Sequence, residues 1–556
     1  MKKSKILIVL ILTAGLLAQT FNTGKNGVVV SASKLASDIG IQILKDGGNS
    51  IDAAVAVSFA LAVAWPEAGN IGGGGFMVIR FPDGTSTTID YREKAPGKAT
   101  EDMYLDSNGN PVPGLSTEGA LAAGVPGTVA GMALAWEKYG LLPWNKLLAP
   151  AIELAEYGFP VSYYIHTSLK EHYEEMNQYP TTRKMFFPFN RIPEIGETIK
   201  FPDLAETLKR IAENGADDFY RGLTALKIVK SVNKNGGIIS YDDLKNYRAI
   251  EREPITFTYR GHKIISMAPP SSGGVCMGQI LKILENFPMK HYGYFSKEAI
   301  NKTVEAERFT YANRSKYLGD PEYANNHIEY LLSDRLNDSL ATEIISGKAG
   351  KSILVKPVVI HESEQTTHFS IVDRNGLAVS NTTTINSSYG CNFVVDNTGI
   401  LLNNEMDDFC IKPGVPNQFG LLGSEANSIQ PNKKMLSAMT PTIITKNDSL
   451  KYILGTPGGS TIITTVTQII INLVDFDMNL RQAVHAPRFH HQWYPDKIYF
   501  EKYSLQPELK EALLKMGYEY VERSAIGDLN GISVDSKMGI YIGVPDIRYE
   551  SSVSVY

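Results

Sequence analysis

The sequence predicts one layered α/β domain, with sheets inside and helices outside. Three observations carry that expectation. Two stretches read as β-hairpins, one early and one deep in the chain. A long, mainly helical middle separates them. No Pro- or Ser-rich linker divides the 556 residues, so they read as one unit rather than several.

The elements follow in order. Residues 33–45 have helical spacing and stop at Gly47-Gly48. Residues 51–64, rich in Ala and Val, are apolar all round and predict a buried core helix ended by Pro66. That run is too short for a membrane span. Gly72-Gly73-Gly74-Gly75 leads into the strand-like run 76–81. Asp83-Gly84 turns the chain and 85–91 returns, giving the first hairpin. Glycines that enter a strand rather than a helix predict close backbone packing, not a nucleotide loop. From 117 to about 351 the text is mainly helical, with Leu204, Leu208 and Ile211 at helical spacing and another helix near 241–247. Residues 346–351, rich in Gly and Lys, predict a flexible loop.

The deep hairpin starts at Gln365-Thr366-Thr367-His368. An alternating run, 368–372, meets the turn Asp373-Arg374-Asn375-Gly376 and returns over 377–383. A Thr pair at a strand start most often reflects β-propensity alone. Here it has a second meaning. If the bond before Thr366 were cut, the strand would begin with a free amine beside a hydroxyl, which is a known activated nucleophile. Further strand pairs are expected at 392–395 with 399–403, at 442–445 with 450–454 around Asn447-Asp448, and at 532–534 with 540–544. Residues 461–473 predict a long helix.

Composition narrows the classes. With 43% hydrophobic and 20% charged residues the chain is ordinarily globular. A formal net charge of -5 and no basic cluster give no reason to expect nucleic acid. Lys2, Lys3 and Lys5 before the apolar run 6–17 and Ala18 have the layout of a secretory signal peptide, covering about residues 1–18. Export to the periplasm or cell exterior follows, with no membrane span once the signal is removed. Cys276, Cys391 and Cys410 allow at most one internal disulfide, fit no zinc framework and read as inert buried thiols.

Three constellations have chemical meaning. Gly458-Gly459-Ser460 precedes the helix at 461–473. Glycine lets backbone amides approach a ligand, and the helix N-terminus adds partial positive charge. Such a turn suits a phosphate or an acyl-transfer oxyanion. No Gly-Lys-Ser/Thr follows, so a P-loop is unsupported. Arg92, at the end of the first hairpin, offers a planar fork for a carboxylate. Asn403-Asn404-Glu405-Met406-Asp407-Asp408 is dense in oxygens and suits a cation such as an ammonium. Together these would hold an α-amino acid head group, if the fold joins them. There is no Gly-x-Ser-x-Gly elbow and no His-Glu-x-x-His; His490 and His491 are adjacent and point differently.

These residues, in this order, resemble the γ-glutamyltransferase (γ-glutamyl transpeptidase) family. The likeness runs from about residue 32 to 545. It includes Asp46-Gly47-Gly48-Asn49-Ser50, Asp90-Tyr91-Arg92-Glu93, Gln365-Thr366-Thr367-His368, Asn403-Asn404-Glu405, Pro457-Gly458-Gly459-Ser460 and Ala486-Pro487-Arg488-Phe489-His490-His491. The resemblance implies an N-terminal nucleophile hydrolase fold, a four-layer αββα sandwich. It implies self-cleavage between Gln365 and Thr366, giving a large chain, 19–365, and a small chain, 366–556, in one domain. Thr366 would be the nucleophile and its new amine the base. Thr384 would orient Thr366, and Gly458 and Gly459 would supply oxyanion amides. Arg92 and Ser437 would hold the donor's α-carboxylate; Asn386, Glu405 and Asp408 its α-ammonium. The donor would be glutathione or another γ-glutamyl compound, and the acceptor water, an amino acid or a dipeptide. No cofactor or metal is implied.

The chain departs from the family pattern at three positions. Ala438 follows Ser437 where relatives often carry a second serine, which removes one hydroxyl contact. Phe419 stands in a lid-like segment, 412–427, where some relatives carry a gating Tyr; loss of that hydroxyl predicts looser closure. Glu405 stands where many bacterial relatives carry Gln, and its charge should favour the ammonium. Two other readings compete. An acylase of the same fold, cutting a glutaryl-type amide, would offer Glu405 and Asp408 no ammonium. An exported binding protein with a decayed site would have no use for Thr366, Thr384 and Gly458-Gly459.

Overall fold

The computed structural model describes residues 22–352 and 366–556. The expected signal segment and Gln365 of the expected cleavage bond lie outside the described residues. Two seven-stranded antiparallel sheets form the centre. The first runs Ser552–Val555, Gly27–Ser31, Thr367–Asp373, Ala378–Thr384, Gly74–Arg80, Ser86–Asp90, Ile250–Arg252. The second runs Thr23–Gly24, Ile540–Val544, Gly531–Asp535, Ser449–Leu454, Thr442–Lys446, His262–Ser266, Ile255–Tyr259. Both predicted hairpins lie side by side in the first sheet.

Side-chain alternation explains the layering. Val28, Val30, Val78 and Val372 meet Ile443, Ile453 and Ile532 between the sheets. Their neighbours Val29, Met77, Ile79 and Ile371 belong to the cluster on the outer side. Successive side chains leave a strand on opposite faces, so strands apolar on both faces are covered twice. The cover on one side is the helix Ser50–Ala64, buried along its whole length as its all-round apolar sequence requires. Asn49 starts it: its side chain accepts from the amides of Ile51 and Asp52, and Asp52 accepts from the Asn49 amide at 2.9 Å. Such a reciprocal cap contributes about 1 kcal/mol. On the other side the helices Gly273–Glu285 and Thr461–Val474 pack on Ile264, Ile444 and Leu454. The result is the four-layer αββα sandwich that the resemblance implied.

Three expectations need correction, and one strand was not expected. The helical middle contains the hairpin Ile255–Tyr259 with His262–Ser266, which supplies two strands of the second sheet. Residues 392–403 make one isolated bridge, Val394 to Leu401, instead of two strands. Asn392 and Asn397 take positive φ there, which breaks the extended backbone. The loop at 346–351 is pinned rather than loose: the Ala349 amide donates to Met516 O at 2.8 Å and the Gly350 amide to Glu305 Oε1 at 3.1 Å. The C-terminal strand Ser552–Val555, unforeseen, pairs with Gly27–Ser31. The glycine run packs as expected. A Cβ on Gly73 would lie 2.1 Å from the Thr384 carbonyl oxygen, so only glycine admits that strand end.

Candidate active site

Thr366 stands immediately before the strand Thr367–Asp373 and is 6% exposed. Register decides what it faces. Thr367 pairs with Thr383, so Thr366 lies opposite Thr384. The Thr366 hydroxyl donates to Thr384 Oγ1 at 3.4 Å. Thr384 Oγ1 also accepts the Asn386 amide at 2.8 Å, and the Thr384 carbonyl accepts from Asn70 Nδ2 at 2.9 Å. The hydroxyl pair is therefore fixed from both the strand and the loop that follows it.

His368, two residues on, is buried and bonds Thr382 Oγ1 through Nδ1 at 2.9 Å and Ser370 Oγ through Nε2 at 3.1 Å. Burial pushes its pKa down to about 3, so the imidazole is neutral. It ties the two strands of the hairpin together and adds no charge two residues from Thr366.

The glycine turn closes over the same spot. Gly458 and Gly459 have φ of 136° and 53°, values that favour glycine. Thr461 locks the turn: its amide and Oγ1 both donate to the Gly458 carbonyl, at 2.9 and 2.8 Å. The Gly458 and Gly459 amides have no partner among the described residues. Two free N–H groups at the start of Thr461–Val474 can receive a developing oxyanion. Gly459 lines the pocket that contains Thr366; Gly458 lies one residue behind it.

The other end of that pocket is charged. Arg92, 1% exposed, sends Nη1 to Glu405 Oε2 at 2.6 Å and to Glu93 Oε2 at 3.5 Å. Its Nη2 pairs with Asp408, and its Nε donates to the Met435 carbonyl at 3.2 Å. The fold thus does what spacing cannot show. It brings the Arg and the acidic cluster together, in direct ion pairs. Three carboxylates face one guanidinium. Burial raises the Glu405 pKa well above its ordinary value, with Arg92 opposing and Glu93 and Asp408 reinforcing. Glu93 is pushed up to about 7 by burial, against the pull of Arg92. Glu405 Oε1 is buried with no hydrogen-bond partner among the described residues. Such an arrangement is short of one cation.

Asn386 has φ of 77° and donates Nδ2 to the Asn404 carbonyl at 3.1 Å, leaving its side-chain oxygen for a ligand. The Ser437 hydroxyl accepts the Met439 amide at 3.1 Å, leaving its proton to give. Both residues line the pocket, as do Thr384, Glu405, Asp408 and Ala438.

The lid-like segment lies closed. Phe419 is buried with its ring against Gly459, where an added Cβ would sit 2.8 Å from the ring. Gln492 Nε2 donates to the Phe419 carbonyl at 2.9 Å, and the Gln418 amide to Asp407 Oδ2 at 2.9 Å. These anchors are backbone groups and do not depend on a hydroxyl at position 419. His490 bonds Thr464 and Gln492 and is neutral, pushed down to about 3 by burial. The three cysteines are free and buried.

Sequence reasoning missed two neighbours of this pocket. The sequence points to Glu93 only as part of a motif, and to Arg314 not at all. Arg314 sits in Lys297–Tyr317, a helix that buries Asn301, Lys302, Glu305, Glu307 and Arg308 as well. A helix whose charged residues are buried shows no periodic signal that separates its inside from its outside.

Comparison with known proteins places this geometry. Residues 36–556 match the Gamma-glutamyltranspeptidase family. The chain is 46% identical over 527 residues to the glutathione hydrolase proenzyme of Escherichia coli K12, covering 94% of this chain and 90% of that protein. It is 37% identical over 548 residues to the glutathione hydrolase proenzyme of Bacillus subtilis 168, covering 94% and 90%. Among solved structures, a γ-glutamyltranspeptidase from Helicobacter pylori is 45% identical, with TM-score 0.58, covering 59% of this chain and 94% of that one. A cephalosporin acylase from Bacillus halodurans is 27% identical, with TM-score 0.86, covering 96% of each chain. With a matched family spanning most of its length and relatives of this identity, the chain belongs to the γ-glutamyltranspeptidase family.

Proposed function

We propose that this enzyme is a self-processing γ-glutamyltransferase and glutathione hydrolase in which Thr366 acts twice. In maturation its Oγ attacks the Gln365 carbonyl carbon. The peptide bond becomes an ester, and water opens that ester to free the Gln365 carboxylate and the Thr366 amine. Residues up to 365 and from 366 then form the large and small chains of one domain. In turnover the new amine takes the hydroxyl proton as Oγ attacks the γ-carbonyl of the donor. The Gly458 and Gly459 amides receive the oxyanion. The leaving amine departs with the proton, and a γ-glutamyl ester remains on Thr366. Water, or the amine of an amino acid or dipeptide, then takes the acyl group.

Arg92 and Ser437 hold the donor's α-carboxylate in this reading. Asn386, Glu405 and Asp408 hold its α-ammonium. The pocket's shortage of one cation supports an ammonium-bearing donor such as glutathione over a glutaryl-type amide. The observation that carries the reading is the Thr366 hydroxyl, held by Thr384 in a pocket that also contains Gly459 and the Arg92–Glu405–Asp408 group. Export belongs to the same proposal. Among the described residues no helix is long and apolar enough to cross a membrane.

A denaturing gel and a γ-glutamyl anilide assay test it. Wild type should give two chains and release the aniline; Thr366→Ala should stay one chain and release none. Normal cleavage in Thr366→Ala would overturn the assignment.

A further inference from the structure

Arg314 is 5% exposed and lines the same pocket as Thr366. Its Nε donates to Ser272 Oγ at 2.9 Å, and Ser272 Oγ donates to the Ser437 carbonyl at 2.6 Å. Beyond that bond its guanidinium has no hydrogen-bond partner and no carboxylate in ion-pair reach among the described residues. Arg92 is the contrast: its fork is already engaged by Glu405 and Asp408. A buried cation without a counter-charge is costly unless a ligand supplies one. The carboxylate end of the pocket is otherwise thinly provided, because Ala438 beside Ser437 offers a methyl and no hydroxyl.

The position of Arg314 is rigid. One helical turn earlier on Lys297–Tyr317, Tyr311 donates its hydroxyl to the Ser460 carbonyl at 2.5 Å. One face of one helix therefore braces both the oxyanion turn, through Tyr311, and the Ser437 loop, through Arg314 and Ser272.

We propose that Arg314 is a second cationic contact for the α-carboxylate of the γ-glutamyl donor, on the side that Ala438 leaves without a hydroxyl. The proposal rests on the donor reading given above. Its planar fork can meet a carboxylate in a way Ser437 alone cannot.

The test compares processed wild type, Arg314→Met and Arg314→Lys on three donors. A γ-glutamyl anilide has the α-carboxylate only in its head group. A 4-aminobutyryl anilide keeps the ammonium and the scissile amide and lacks that carboxylate. Glutathione has a further carboxylate in its leaving group. In Arg314→Met, KM should rise at least about 20-fold for the γ-glutamyl anilide and for glutathione alike, with kcat changed less than about 3-fold. kcat/KM on the aminobutyryl anilide should stay within about 2-fold of wild type, and Arg314→Lys should recover part of the loss. Equal losses on both anilides would overturn the proposal and leave Arg314 a brace for Ser272. A loss confined to glutathione would also overturn it, because the carboxylate met would be the leaving group's. Where Arg314→Met fails to mature into two chains, Arg314→Lys is read alone, and an unchanged ratio between the two anilides contradicts the proposal. A wild type that uses neither anilide would refute the donor reading itself, whatever Arg314 does.

Discussion

The two ends of one pocket are built from opposite materials. At the end proposed to react stand hydroxyls and glycine amides, Thr366, Thr384, Gly458 and Gly459, with the neutral His368 two residues on from Thr366. At the recognising end stand a buried arginine and three carboxylates. The difference teaches where charge is useful. If Thr366 supplies its own base, as proposed, it needs no second ionisable group beside it, and a fixed negative charge there would oppose the oxyanion that must form. A zwitterionic head group is recognised chiefly by charge, with neutral donors and acceptors such as Ser437 and Asn386 beside it. The recognising end therefore carries buried carboxylates whose full ionisation awaits a cation.

Changes at either end should break this contrast in different ways. The largest effect is expected at the reacting end. Gly459→Ala puts a methyl 2.8 Å from the Phe419 ring at a φ of 53° and displaces an amide of the proposed oxyanion turn. Its kcat should fall by roughly 10²-fold or more, with KM little changed, in steady-state assays of the matured enzyme. Glu405→Gln keeps the shape and removes one charge at the recognising end. There the loss should fall on KM, by about 10- to 50-fold for a γ-glutamyl anilide, with kcat nearly kept. If both variants lost kcat and KM together, the division of the pocket would be false.

Acid stability sharpens the point about His368. Its folded pKa of about 3 lies below its ordinary 6.5, so the folded state resists a proton that the unfolded chain accepts. The stabilisation is complete above about 6.5 and is lost as pH falls toward 3, on the order of 5 kcal/mol at most. Denaturant midpoints should drop from pH 7 to pH 4 by less in His368→Gln than in wild type. An identical drop would remove His368 from the account. The smallest effect concerns Glu93, pushed up to about 7 by burial. As pH rises through 7 the recognising end gains negative charge, so KM for a zwitterionic donor should fall by about 3-fold between pH 6 and 8. Glu93→Gln should flatten that slope.

Much of the scaffold was legible in the sequence, because its strongest signals are local. Asn375-Gly376 and Asp83-Gly84 set both hairpins of the first sheet, and the apolar run at 51–64 marked its buried helix. The hairpin at Ile255–Tyr259 and His262–Ser266 escaped notice inside a helical stretch, since Arg260-Gly261 is a weaker turn signal than Asn-Gly. The strand Ser552–Val555 depends on a partner more than 500 residues away, which no local pattern reveals. At the site, residue types pointed to chemistry but not to contact. Arg92 suggested an anion and Glu405 a cation, yet only the fold shows them bonded to each other. Arg314 gave no signal, because the pocket wall it lines is assembled only by the fold.

The most direct measurement is N-terminal sequencing of the lighter polypeptide of the purified enzyme, alongside its turnover of a γ-glutamyl anilide. The account predicts a sequence beginning Thr366-Thr367-His368 and activity that appears in step with that chain. A lighter chain starting elsewhere, or full activity in an uncut polypeptide, would contradict it.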